Sequence, residues 1–168
     1  MSLRRQLAEL LVLRCSGHQL DQQRRYPQWE LSNSELRHWL SEGVGGVILL
    51  GGSAAELALR CRQLQQWART PLLLCADVEE GVGQRFDGAS WLAPPLALAG
   101  LHRRDPAAAT ALARAYGRCT ALEARALGLN WVLGPVCDVN NNPANPVINV
   151  RAWAETAESA AALRRLTA

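Results

Sequence analysis

The chain has 168 residues, enough for one domain with a hydrophobic core and too few for two of ordinary size. With 49% hydrophobic and 20% charged residues it resembles a globular protein, which excludes a disordered or fibrous chain. No apolar run reaches the roughly 18 residues that span a bilayer, and the net charge of +3 comes from arginines interleaved with acids, so we expect no membrane and no nucleic-acid partner.

The N-terminal residues bear on the location of the protein, and the cysteine and histidine positions bear on whether it binds a metal. The first residues, up to Glu9, form no convincing signal peptide, so we expect a cytoplasmic location. The five cysteines are scattered and never spaced as C-x-x-C, which predicts reduced and mostly buried thiols. His18, His38 and His102 each stand alone and are expected to be surface or capping histidines. We therefore expect no metal site and no cofactor.

The first half of the chain alternates apolar runs with helical periodicity. Residues 10–13 predict a first strand. Ser32 and Glu35 have the spacing of a capping box and predict the start of a helix that Gly43 closes. Residues 44–50 are apolar on both faces, as in a strand that is covered on both sides. They predict the second strand.

The same alternation continues beyond residue 50. Ser53 and Glu56 form a second capping box, and the helix that they begin is expected to end at Pro71. Residues 72–76 predict the third strand. The stretch 77–100 is rich in glycine and proline and predicts a long loop.

The last third of the chain completes two further units. Asp105, followed by a proline, predicts a helix start, and Gly128 predicts its end. Residues 130–133 predict the fourth strand and 156–166 the fourth helix. Four consecutive strand–helix units predict a parallel sheet, either an open doubly wound sheet or part of a (β/α)₈ barrel. In both folds ligands bind at the carboxyl ends of the strands.

Carboxylates and a guanidinium follow the predicted third strand. Asp77 stands at the strand exit and Arg85 lies eight residues on, an arrangement that suits the paired hydroxyls of a sugar. Alternatively, Asp77 caps the following turn while Arg85 neutralises Asp77 or Glu79. Glu79 and Glu80 are either a pair of acids for acid–base chemistry or one structural and one solvated acid.

A second polar loop, residues 138–151, is dense in asparagine and proline and predicts a rigid segment that aims Arg151. We expect Asp138 and Asn140 to supply hydrogen bonds inside this loop. Arg151 either binds substrate or pairs with Asp138 or Glu155.

Two further features are candidate binding elements. The turn at residues 51–53 lies between a strand and a helix, where anions bind, but it matches no phosphate-binding motif. It is the only support for an open-sheet nucleotide-binding protein. Trp91, in the long third loop, is the best candidate for stacking on a sugar.

Three motifs in order resemble one known family. They are G-G-V-I-L-L-G-G at 45–52, D-x-E-x-G-x-x-Q-R-F at 77–86, and D-V-N-x-N-P at 138–143 leading to Arg151. On these motifs the chain is identified as a member of glycoside hydrolase family 3, most similar to its bacterial β-N-acetylhexosaminidase branch. The resemblance implies an α/β fold, a partial TIM (β/α)₈ barrel with about the first four β/α units. Residues 1–168 are then the N-terminal half of the barrel domain.

The resemblance also implies roles for individual residues. Asp77 matches an aspartate that binds sugar hydroxyls, Arg85 an arginine of the same pocket, and Arg151 a further sugar contact. The residues implied as loop support are Glu79, Asp138 and Asn140. The sequence departs from the family's usual D-Q-E-G-G-R-V-Q-R at Val78, Glu80, Val82 and Gly83. Glu80 adds bulk and charge beside the pocket, which leaves the substrate preference open.

The reacting groups of the family have no match here. The resemblance implies a lysine–histidine pair on the following strand, a histidine acid–base in a later loop and an aspartate nucleophile near the end of the barrel, and this chain contains no lysine. Because retaining hydrolysis needs both a nucleophile and a proton donor, we expect the chain alone to be inactive, with no catalytic residue of its own.

Several explanations of this incomplete set remain. A barrel takes about 250 residues, so a truncated product ranks ahead of a two-fold dimer that closes an eight-stranded barrel. The possible protein partners are therefore a second copy of the chain, by self-association, or the missing barrel half. The expected function is an O-glycosyl hydrolase with a carbohydrate substrate. A non-catalytic sugar-binding or assembly module and a β-glucosidase-type member are the alternatives.

Overall fold

The structure, a computed structural model, describes residues 2–165 and 167. Its helices are α1 (Leu3–Glu9), α2 (Asn33–Glu42), α3 (Ala54–Trp67), α4 (Leu96–Arg104), α5 (Pro106–Ala126) and α6 (Ala157–Arg164). Its strands are β1 (Val12–Ser16), β2 (Gly46–Leu50), β3 (Leu73–Ala76) and β4 (Trp131–Val132). No helix in this described part of the chain is both long and apolar enough to cross a membrane.

Both predicted capping boxes are confirmed. The Ser32 side chain accepts a hydrogen bond from the Glu35 backbone, and the Glu35 carboxylate accepts one in return from Ser32 N–H. Ser53 and Glu56 repeat this reciprocal arrangement at the start of α3. The predicted cap at Asp105 is also present, since its carboxylate accepts from Ala108 N–H at 2.9 Å. These short-range bonds fix where the helices begin.

Three predicted elements differ from the structure. A helix, α1, occupies Leu3–Glu9, and Leu10 closes it, so the first strand begins at Val12 and not at residue 10. The predicted loop 77–100 contains the start of another helix, α4, whose Leu98 and Ala99 are buried. The last helix was predicted over 156–166; it is observed over Ala157–Arg164, and Leu166 lies outside the described residues.

The chain forms two compact units. The first takes in the described residues of Met1–Asp77, Arg85–Ala89 and Ala124–Val132. The second takes in those of Val78–Gln84, Ser90–Glu123 and Leu133–Ala168.

The first unit holds a parallel sheet in the order β1-β2-β3-β4. Val12 lies opposite Gly46 in β2, which in turn lies opposite Leu73 in β3, and Cys75 lies opposite Trp131 in β4. An open doubly wound sheet reverses its strand order at a switch point, whereas a barrel keeps the strands in sequence. The consecutive order therefore confirms the predicted partial (β/α)₈ barrel with four β/α units, and the open-sheet alternative loses its basis.

A single side chain fastens the short strand β4 to its neighbour. Asn130 Oδ1 accepts a hydrogen bond from Leu74 N–H at 2.8 Å, and Asn130 Nδ2 donates to Leu72 O at 2.9 Å. The backbone N–H of Asn130 adds a bond to Leu74 O at 3.0 Å. One amide side chain thus adds two hydrogen bonds to the short pairing of β4 with β3.

Each unit has its own core. In the first unit, the fully buried leucines of α2 and α3 are Leu36, Leu40, Leu57 and Leu64. In the second unit, a cluster joins α4, α5 and α6 through Leu98, Ala109, Ala113, Tyr116, Trp153 and Leu163. Within this cluster the Tyr116 and Trp153 rings meet edge to face, with 5.3 Å between their centroids.

Candidate functional site

Asp77 and Arg85 lie together in the first unit, at the carboxyl end of β3. The Arg85 Nε–H donates to the backbone carbonyl oxygen of Asp77 at 2.8 Å, and both residues are half-buried. The observed bond joins the guanidinium to the backbone of Asp77, which differs from the predicted alternative in which Arg85 neutralises a carboxylate. The two groups predicted to bind a sugar are therefore neighbours.

The segment after Arg85 is anchored beside the exit of β2. Phe86 is fully buried. Asp87 N–H donates to Gly52 O at 2.9 Å, and Ala54 N–H donates to Asp87 O at 2.8 Å. These contacts hold the Arg85 backbone at the carboxyl edge of the sheet, where barrel proteins bind their ligands.

Cys75 precedes this site by two residues and is buried in β3. Burial raises the pKa of the Cys75 thiol to about 11, and the nearby charge of Asp77 adds to the increase. All five cysteines are free, and Cys15, Cys61 and Cys75 are the buried ones. Cys75 is therefore a protonated packing residue.

The first unit also contains a pair that the sequence analysis missed. His18 follows β1, and its Nδ1 lies 3.1 Å from both carboxylate oxygens of Glu56. Glu56 is the capping-box acid of α3 and also accepts from Ser53 N–H at 3.2 Å. The sequence predicts a surface or capping histidine at position 18 but does not indicate Glu56 as its partner. Because β1 and β2 are adjacent parallel strands, their exit loops meet at one edge, and this rule gave the signal that could have found the pair.

The Glu56 pair makes stability depend on pH. The hydrogen bond from His18 lowers the pKa of the Glu56 carboxyl from its ordinary 4.5, and the bonds from Ser53 lower it further. A carboxyl with a lowered pKa in the folded state stabilises the fold above its unfolded pKa, and this contribution disappears as pH falls through the folded value. We expect Glu56→Gln to lower the urea midpoint at pH 7, with a difference from wild type that shrinks below pH 4.5.

Urea titrations of both proteins between pH 7 and pH 3 measure this difference. The control is Glu158→Gln, which changes an exposed acid in α6. A difference in urea midpoint between wild type and Glu56→Gln that stays constant from pH 7 to pH 3 would contradict the prediction.

In the second unit, Glu79 and Arg151 form a two-bond ion pair. Arg151 Nε donates to Glu79 Oε2 at 2.7 Å, and Arg151 Nη2 donates to Glu79 Oε1 at 2.8 Å. The Glu79 side chain is only 6% exposed and that of Arg151 is 39% exposed. Arg151 Nη1 also donates to Val147 O at 2.9 Å. The sequence leaves Arg151 either to bind substrate or to pair with Asp138 or Glu155. In the structure its ion pair is with Glu79, and Glu155 binds Arg103.

The backbone around Glu79 is held from two sides. The Gln84 side-chain oxygen accepts from the N–H groups of Glu79 and Glu80, at 3.0 and 3.2 Å. The Tyr116 hydroxyl lies 3.0 Å from Glu79 O and 3.1 Å from Ala93 O, within hydrogen-bonding distance of both carbonyls. Burial raises the pKa of the Tyr116 phenol, and the Glu80 and Glu79 charges raise it further. Tyr116 is therefore a neutral hydrogen-bond donor at this position.

The 138–151 loop is ordered by residues other than those predicted. Asn142 Oδ1 accepts from Ala144 N–H at 3.1 Å, and Asn145 Oδ1 accepts from Val147 N–H at 2.9 Å. Asn140 is buried and contributes its backbone N–H to Ala154 O at 2.9 Å, while its side-chain oxygen has no hydrogen-bond partner among the described residues. Asp138 is exposed. Among the described residues, the side-chain bonds inside this loop thus come from Asn142, Asn145, Asn149 and Arg151.

The predicted site residues divide between the units. Asp77 and Arg85 meet in the first unit, and Glu79 and Arg151 meet in the second. The other two residues, Asp138 and Asn140, also belong to the second unit.

Parallel strands in barrel order, with a carboxylate and a guanidinium at the carboxyl edge, define a barrel protein of the kind that binds polar ligands at its strand exits. The family model for the glycosyl hydrolase family 3 N-terminal domain matches residues 2–167, and the chain belongs to this family.

Relatives and solved structures agree with this membership. The chain is 37% identical over 136 residues to a Cellulomonas fimi protein named beta-N-acetylglucosaminidase/beta-glucosidase, covering 79% of this chain and 23% of the relative. It is 36% identical over 141 residues to a beta-hexosaminidase of Xanthomonas axonopodis pv. citri, covering 81% and 41%. NagZ from Neisseria gonorrhoeae shares the fold, with a TM-score of 0.74 and 24% identity over 94% of this chain and 45% of that one. The chain spans less than half the length of these proteins.

Proposed function

We propose that this chain supplies sugar-binding residues of a glycosidase that acts on β-linked N-acetylhexosaminides. The observation that carries the proposal is the pairing of Asp77 with Arg85 at the carboxyl end of β3, in a chain of glycosyl hydrolase family 3. An aspartate accepts hydrogen bonds from sugar hydroxyls and a guanidinium donates them, so the two groups are complementary to adjacent hydroxyls of one ring. In this proposal Arg151 is a further sugar contact and Glu79 holds it through two hydrogen bonds. Asn140 supports the loop through its backbone bond to Ala154 O, and Asp138 is kept as a proposed loop support.

Binding without turnover is the second part of the proposal. Retaining hydrolysis requires a nucleophile and an acid–base group on either side of the scissile bond. The family resemblance assigns neither role to a residue of this chain. The 168 residues are therefore proposed to bind sugar and not to hydrolyse it unless further residues of a complete barrel are present.

The experiment is a calorimetric titration of the purified chain with N-acetylglucosamine and its β-linked trimer, together with a turnover assay on a chromogenic β-N-acetylglucosaminide. We expect measurable binding that Asp77→Ala abolishes, and no turnover by the chain alone. The matched control is Asp105→Ala, which removes the cap of α5 and leaves the exit of β3 untouched. Equal loss of binding in both variants would mean that the Asp77 effect is only lost stability.

Glucosides are the second candidate substrates. The Cellulomonas fimi relative is named for both a beta-N-acetylglucosaminidase and a beta-glucosidase, and Glu80 departs from the glycine of the usual family motif. Methyl β-glucoside in the same titration tests this candidate. Tighter binding of the glucoside than of N-acetylglucosamine would make the glucoside the proposed substrate. Turnover by the wild-type chain that Asp77→Ala abolishes would contradict the proposed inactivity.

A further inference from the structure

Trp91 combines high exposure with a fixed side-chain hydrogen bond. It is 69% exposed, more than any other tryptophan of the chain. Its indole N–H donates to Glu80 Oε2 at 2.9 Å, and Glu80 is only 8% exposed. A buried carboxylate therefore holds the polar edge of a ring whose apolar surface faces water. Both residues belong to the second unit.

The backbone on both sides of Trp91 is fixed as well. Leu92 N–H donates to Glu80 O at 2.7 Å, and Gly83 N–H donates to Ser90 O at 2.8 Å. Ser90 N–H donates to the Glu123 carboxylate at 3.0 Å. These bonds fasten the residues before and after Trp91, so the ring has little conformational entropy left to lose when a ligand binds.

Gly81 makes this close approach of the two segments possible. Its φ of +81° lies in the left-handed region, and a Cβ at this position would lie 2.5 Å from Ser90 O. Only glycine fits there without displacing the backbone that carries Trp91. The turn thus brings the Glu80 carboxylate to the indole N–H.

We propose that Glu80 and Trp91 form a stacking platform for the apolar C–H face of a pyranose ring. The inference rests on the proposed function and adds a specificity-determining element to it. Because Glu80 occupies the indole N–H, the ring offers its faces and not its polar edge, which suits a β-linked sugar whose equatorial hydroxyls leave a flat C–H surface. Glu80 acts through Trp91 and is a positioning residue.

The test is a calorimetric titration of the 168-residue chain and its variants with the β-linked trimer of N-acetylglucosamine. Trp91→Ala is expected to weaken binding about tenfold, the effect of losing one stacked ring, whereas Trp91→Phe, which retains a ring, stays within about threefold of wild type. Glu80→Ala weakens binding although the indole is intact, and Glu80→Gln, which keeps an acceptor, restores most of it. The matched control is Trp29→Ala, which removes an exposed indole of the first unit.

A readout that needs no sugar tests the positioning by Glu80. In a nitrogen–proton NMR spectrum, Glu80→Ala is expected to shift the Trp91 indole N–H signal and to speed its exchange with water, because the bond to the carboxylate is lost. Trp91→Phe identifies the signal by its disappearance. An unchanged indole signal in Glu80→Ala would overturn the positioning role.

The outcomes separate this inference from the proposed function. If the trimer binds, Asp77→Ala abolishes binding and Trp91→Ala leaves it unchanged, the platform is wrong and the proposed function stands. If the wild-type chain binds neither N-acetylglucosamine nor the trimer, both are wrong. Equal weakening by Trp91→Ala and Trp29→Ala would also overturn the platform.

Discussion

Gly17→Ala is expected to lower the free energy of unfolding by about 3 kcal/mol, at the upper end of the usual cost of overpacking. A Cβ at position 17 would lie 2.0 Å from the backbone oxygen of Gly51 and 3.1 Å from Phe86 Cε1. No rotamer relieves an overlap with a backbone atom. Since Gly17 N–H also donates to Leu50 O at 2.9 Å, the exit loops of β1 and β2 must separate to admit the methyl group.

Urea unfolding followed by circular dichroism measures this loss. The control is Gly100→Ala in α4, where the nearest atom to the new Cβ is Arg103 Nη2, at 4.0 Å. Alanine there is expected to stabilise the helix by about 0.5–1 kcal/mol, because glycine loses more chain entropy on folding. A Gly17→Ala variant as stable as wild type would show that the loops tolerate the separation.

Arg151→Ala is expected to cost about 3 kcal/mol, because it leaves the buried Glu79 carboxylate without its cation. Two hydrogen bonds of 2.7 and 2.8 Å are lost together. Glu79 regains only part of this stabilisation from water, since its side chain is almost fully buried. The partial exposure of Arg151 places the expected cost at the lower end of the range for broken buried pairs.

Arg103→Ala is the matched control for the Arg151 variant. Arg103 Nη1 donates to Glu155 Oε2 at the same 2.7 Å, but the two side chains are 63% and 51% exposed. Exposed pairs contribute at most about 1 kcal/mol, so the two variants are expected to differ by about 2 kcal/mol in denaturant titrations. Equal losses of unfolding free energy in the two variants would mean that the burial of Glu79 does not determine how much its ion pair with Arg151 stabilises the protein. Adding Glu79→Ala to Arg151→Ala should recover part of the loss, because no buried charge then remains.

The elements that local chemistry determines were predicted from the sequence. Ser32 and Ser53 each lie three residues from the glutamate that completes a capping box, so the helix starts followed from four residues of sequence. The helix α1 lacks such a signal, since Ser2 makes no side-chain cap bond, and Leu10, which closes this helix, was assigned to the first strand. The start of α4, at a proline without a cap bond, was read as loop for the same reason.

The sequence was sufficient to predict which residues belong to the site, but not which of them bond to each other. The position of Asp77 and Arg85 beyond a strand, eight residues apart, was enough to expect them together. Arg151 and Glu79 are 72 residues apart, and no spacing rule chooses Glu79 over Asp138 or Glu155 as the partner. The bond between Glu80 and Trp91 depends on the path of the turn at Gly81, which sequence periodicity does not describe.

Because the Asn130 side chain holds the start of β4 to β3, the pairing of these strands is sensitive to substitution at this one position. In most sheets the loss of any one side chain leaves the strand pairing intact, because backbone groups carry it. Here two of the bonds between the chain entering β4 and its neighbour belong to a replaceable side chain. Aspartate lacks the N–H donor, and glutamine carries the same amide one methylene farther from the backbone. Sequence variation at this edge is therefore restricted at the residue that precedes β4.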